Sequence, residues 1–141
     1  MKTKLLLLFT LAPMLAGGLT GCDSGYSNND ITYEEARLTL EQQETLYPTT
    51  FLTVDGTYRK NLIGEWVMVG TVGSSATIAT YKDVVLTISY YSKTQTLLGT
   101  ETQTIYDYFT PGNQVKFKLK SFGYKGAKSI GLAVSNAVAA Y

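Results

Sequence analysis

From residue 49 onward, apolar and polar positions alternate in short runs separated by turn residues. Phe51-Leu52-Thr53-Val54 is the first run, and the Asp55-Gly56 pair after it predicts a turn. Ile63 to Val72 is the second, rich in Val and Met around Trp66. In the third, Tyr81 to Tyr91, Val84, Leu86, Ile88 and Tyr90 share one parity, while Asp83, Thr87 and Ser89 take the other. The fourth, Leu97 to Tyr108, is Thr-rich and expected to be more exposed. Thr110-Pro111-Gly112-Asn113 reads as a turn. The fifth is the clearest, with Val115, Phe117 and Leu119 facing one way and Lys116, Lys118 and Lys120 the other. Ile130 to Val138 alternates more weakly. Short strands with no intervening helices predict an all-β sandwich or barrel over residues 49–141.

The chain before residue 49 follows different rules. Thr32-Tyr33-Glu34-Glu35 has the spacing of a capping box, with Thr32 as N-cap. It opens a short helix or linker over residues 33–48 that ends before Pro48. The run Arg37-Leu38-Thr39-Leu40-Glu41 also alternates as a strand does, so both conformations stay open for that stretch. Residues 22–32 have almost nothing to bury and are expected to form a flexible tether.

Residues 1–21 place Lys2 and Lys4 before an apolar stretch from Leu5 to Leu15, and then Leu19-Thr20-Gly21 before Cys22, the only cysteine. This order resembles a bacterial lipoprotein signal, and Leu19, Thr20, Gly21 and Cys22 match its lipobox. The resemblance implies cleavage before Cys22 and acylation of its thiol with chains of the palmitate class. It also implies a place in a bacterial cell envelope, on the periplasmic or cell-surface side of a membrane. A transmembrane span needs ~20 apolar residues, and Pro13 and the Gly17-Gly18 pair interrupt this one. An ordinary secretory signal would leave Cys22 as an unexplained free thiol.

Composition narrows the function. Lys2 and Lys4 leave with residues 1–21, so the formal charge falls from +1 to −1, and no charge excess points to nucleic acid. One cysteine allows no intrachain disulfide, so apolar burial must hold the core. There is no histidine. That removes His-dependent triads, His-based zinc sites and the side chain best suited to proton transfer near neutral pH. No phosphate-binding glycine loop and no calcium-loop spacing occurs. No metal or other cofactor is therefore expected. Asp83, Glu101 and Asp107 are the acids that a glycoside-cleaving pair would need to draw on. Each falls at a polar strand position, where a solvated acid is the expected role, and no enzyme is expected.

Two surface features remain. Residues 108–141 hold Lys116, Lys118, Lys120, Lys125 and Lys128 and no acid. The first three line one strand face. They could contact an anionic surface, but a solvated outer face or an edge guarded against strand pairing is the favoured reading, since alternation alone explains them. Among the aromatics, Tyr91 is expected outward if Tyr90 is inward, and could serve as a sugar or protein platform. Tyr106, Tyr108 and Trp66 are expected in the core or at corners.

Gly70-Thr71-Val72, Tyr81-Lys82-Asp83-Val84, Leu98-Gly99-Thr100, and Pro111-Gly112 followed by Phe117 together resemble the FxLYD family. These are small immunoglobulin-like domains on exported bacterial proteins and lipoproteins. The resemblance covers about residues 50–139. The chain has Gly73-Ser74 where the family has asparagine after the valine, and Ser92-Lys93-Thr94-Gln95 where the family has an Asp-x-x-Gly turn. The family implies an immunoglobulin-like β-sandwich and brings no catalytic residues. The expected function is that of a lipid-anchored, non-catalytic binding or structural module, with the membrane as one partner and a protein or polysaccharide as the other. An accessory subunit of an envelope assembly, joined by strand addition, is the alternative. A small envelope enzyme is the third.

Overall fold

The computed structural model describes residues 33–140. The expected lipobox (Leu19, Thr20, Gly21, Cys22), the tether over 22–32 and the Thr32 cap lie outside the described residues. The described part belongs to one compact unit, Ile31–Tyr141. It contains helix α1 (Tyr33–Leu46), a 3-10 turn (Pro48–Thr50) and six strands: β1 (Leu52–Lys60), β2 (Trp66–Ser74), β3 (Thr80–Tyr91), β4 (Leu97–Phe109), β5 (Gln114–Ser121) and β6 (Ser129–Ala140). They form two three-stranded antiparallel sheets, ordered β1-β2-β5 and β4-β3-β6. The chain is an all-β sandwich.

The core comes from the inward parity of each strand. Tyr81, Val84, Leu86, Ile88 and Tyr90 of β3 are fully buried, because β3 is central in its sheet and faces the other sheet on that side. Trp66, Met68 and Val72 of β2 meet them, with Phe117 of β5 and Phe109 of β4 closing the flanks. The parity read from the sequence holds for β5 and for β3 from Val84 to Tyr90, and the ladder break at Asp83 turns Tyr81 inward as well.

Two expected features are corrected. Asp55-Gly56 is not a turn, because β1 runs straight through it. Gly56 stands opposite Gly70 in the ladder, and a Cβ on Gly70 would lie 2.1 Å from the Asp55 carbonyl oxygen. The glycines serve close backbone approach rather than chain reversal. The reversal comes at 61–65, where Asn61 Oδ1 accepts the Ile63 and Glu65 N–H groups at 3.2 and 2.9 Å and Gly64 takes φ +82°. Ile63 therefore lies in a turn rather than opening the second strand. The second correction is that Tyr106 and Tyr108 are not core residues. They are 83% and 64% exposed, and Tyr108 stands beside Lys82 on the outer face of its sheet.

Two motif positions have a physical role in the strands. Asp83 takes φ +51° at a break in the β3 ladder between Lys82 and Val84, a left-handed conformation that aspartate tolerates. At the β3–β4 turn, Ser92 Oγ accepts the Thr94 and Thr96 N–H groups, each at 3.2 Å. Gln95 there takes φ +63°. Ser92 thus holds the turn closed through its side chain, and Gln95 occupies a left-handed conformation that glycine adopts without strain.

Candidate functional site

At one end of the sandwich, α1 meets the β2–β3 connection. Among the residues of α1 whose burial is described, only Glu44 is buried, at 1% exposure. Its carboxylate accepts Thr77 N–H and the Thr77 hydroxyl on one oxygen, at 2.8 and 2.9 Å. The other oxygen accepts Ile78 N–H and Ala79 N–H, at 2.9 and 2.7 Å. Burial by itself would raise the Glu44 pKa. The donors from Ala79, Thr77 and Ile78 outweigh it, and the net shift is downward. The Tyr81 hydroxyl donates to the Glu44 carbonyl oxygen at 2.8 Å. Burial, and then the Glu44 charge, pushes the Tyr81 phenol up to about 12. The carboxylate is fully occupied in docking the helix.

The opposite end has its own polar cluster. The Tyr90 hydroxyl donates to Glu101 Oε2 at 2.8 Å, and the Ser121 hydroxyl donates to the same oxygen. Gly123 N–H donates to Ser121 Oγ at 2.9 Å. Burial, with Glu101 beside it, pushes the Tyr90 phenol up to about 12. Gly123 takes φ +61°, and a Cβ there would lie 2.5 Å from the Tyr90 ring. Nearby, Trp66 receives the edge of Tyr58 with ring centroids 5.6 Å apart, and Lys60 Nζ sits 4.7 Å from its ring centroid. Gln103 Nε2 bridges the free edges of β4 and β5 by donating to the Lys120 carbonyl at 3.2 Å.

Lys116, Lys118 and Lys120 share the outer face of β5, beside Thr71, Val69 and Val67 of β2. β5 is an edge strand, which is where lysines oppose strand-to-strand association. Lys120 is paired with Glu65 at 3.6 Å, and Glu65 also accepts from the Asn61 side chain at 2.9 Å.

The three acids do not converge. Asp83 and Asp107 line one shallow cleft with Lys82, Tyr106 and Tyr108, while Glu101 lies in the cluster at the other end. Asp107 accepts the Tyr108 N–H at 2.7 Å. Tyr91 faces outward, as its parity requires, with its ring 3.4 Å from where a Gly131 Cβ would stand.

Sequence reasoning missed Glu44, because one buried acid on a Glu- and Gln-rich helix carries no periodic signal. It also missed the exposed apolar residues of the turns, although the Asn61-x-x-Gly64 spacing could have revealed the turn that presents them. Among the described residues there is no group of three or more metal-ligating side chains, and no helix is long and apolar enough to cross a membrane. In comparisons with known proteins, no family profile, curated sequence or solved structure matches the chain.

Proposed function

We propose that the chain is a lipid-anchored bacterial envelope protein whose sandwich acts as a non-catalytic binding or structural module. The observation that carries this reading is the order of segments. A cationic start, an apolar stretch and Leu19-Thr20-Gly21-Cys22 precede a polar run, which leads into a compact unit that starts at Ile31. Acyl chains on Cys22 add ~0.8 kcal/mol per buried methylene, enough for stable attachment when two or more are present. The occupied carboxylates of Glu44 and Glu101 support a structural use of the acids.

Mass spectrometry of the mature chain from membranes tests the anchor. The expected result is a chain starting at an acylated Cys22, with Cys22→Ser abolishing both modification and processing there. A serine variant that stays processed and membrane-bound contradicts the proposal.

One observation favours strand addition as a second reading. β6 pairs only with β3 and has no charged residue over Ser129–Ala140, so its free edge lacks the lysine guard of β5. A partner held this way should co-purify in stoichiometric amount from membranes. Its absence there removes this reading.

A further inference from the structure

The end of the sandwich away from α1 gathers the β1–β2 turn (61–65), the β3–β4 turn (92–96) and the β5–β6 connection (122–128). Their closeness is fixed by pairing: Trp66 stands opposite Lys60 and Ser121, and Lys128 N–H donates to the Tyr91 carbonyl at 2.8 Å. Tyr124 packs against Gly99, where any Cβ would collide with its ring. The loops are braced, by Asn61 in the first, Ser92 in the second and Gly123 against Tyr90 in the third.

Yet this rigid end holds apolar side chains in water. Leu62 is 107% exposed, Ile63 71% and Phe122 67%. Around them stand Lys60, Lys93, Lys125 and Lys128, all exposed. The two acids at this end are already engaged, Glu65 with Asn61 and Lys120, and Glu101 with Tyr90 and Ser121. The tip is therefore apolar at its points and positive around them.

We infer that this tip docks on an anionic phospholipid bilayer. Leu62, Ile63 and Phe122 enter the boundary between headgroups and acyl chains, and the lysines meet the headgroup phosphates. Charge complementarity selects this occupant and this end. Helix α1 also exposes Leu38 and Leu46, but with Glu41 beside them, the wrong sign for such a surface. The Lys116, Lys118, Lys120 stripe has the right sign, but it lies on a flat sheet face with Lys120 already paired. The inference goes beyond the anchor and does not depend on Cys22.

Cosedimentation of the unit Ile31–Tyr141, which carries its whole core, tests the inference. The vesicles are phosphatidylcholine alone, and phosphatidylcholine with an equal part of phosphatidylglycerol. Binding is expected to the anionic vesicles only, declining as salt shortens the Debye length below ~8 Å. Leu62→Ser, Ile63→Ser and Phe122→Ser together should weaken it at least about tenfold while leaving the melting transition in place. Lys93→Gln, Lys125→Gln and Lys128→Gln together should weaken it and flatten its salt dependence. Lys116→Gln and Lys118→Gln together should change it by less than about twofold, since these side chains lie opposite Thr71 and Val69 on the sheet face, away from the turns. No binding to anionic vesicles overturns the inference and leaves the tip to a protein partner. Equal binding to both vesicle types, or loss confined to the stripe variant, overturns it as well.

Discussion

The two ends of the sandwich use polar and apolar residues in opposite ways. At the α1 end a buried charge is satisfied by backbone donors, and nothing of it is left for a partner. At the tip a braced backbone holds Leu62, Ile63 and Phe122 out in water among exposed lysines. Stability needs the first arrangement and gains nothing from the second. Side chains whose loss costs no stability, held by loops that are nonetheless rigid, are where function is to be sought.

The largest expected effect breaks the closed end. Glu44→Ala leaves Thr77, Ile78 and Ala79 without their acceptor and should cost about 3–5 kcal/mol, read from denaturant melts. Leu62→Ser and Phe122→Ser should each stay within about 0.5 kcal/mol. If the Glu44 loss were equally small, the helix would not be docked by that carboxylate.

Acid sharpens the same contrast. The folded-state pKa of Glu44 lies below its unfolded value. Its contribution is therefore present above about pH 4.3, the ordinary glutamate value, and is lost as pH falls through the lower folded value. The difference in stability between the native chain and Glu44→Ala should shrink over that fall. A difference that stays constant contradicts the assignment. Tyr81 and Tyr90 act at the other extreme. Each has its pKa raised to about 12, so their contribution is full below about pH 10 and is lost as pH rises toward 12.

At the tip, the backbone is the sensitive part. Gly123→Ala sets a Cβ against the Tyr90 ring in a left-handed conformation and should cost about 1–3 kcal/mol in the same melts. The smallest effect is a gain. Gln95→Gly relieves the positive φ in the β3–β4 turn and should add about 0.5 kcal/mol, the relief being partly offset by the freer unfolded chain.

The sandwich was legible because it rests on period-two alternation. Val84, Leu86 and Ile88, and the Val115–Leu119 face, state their orientation in sequence. The Asp55-Gly56 pair misled because a glycine that admits a neighbouring backbone looks the same in sequence as one that makes a turn. Tyr106 and Tyr108 misled because tyrosine fits both a core and an outer face. The α1 docking was not legible at all. It depends on one carboxylate meeting three backbone donors more than thirty residues away, and such a meeting leaves no local pattern. The tip escaped for a related reason, since three connections far apart in the chain become neighbours only once the strands pair.

Amide hydrogen exchange on Ile31–Tyr141, with and without the mixed phosphatidylcholine and phosphatidylglycerol vesicles, tests the contrast between the two ends most directly. The account predicts slowed exchange on vesicles at 61–65 and 122–128, with 75–79 and 114–120 unchanged. Slowing centred on 114–120 or on α1, or no slowing at any segment, would contradict it.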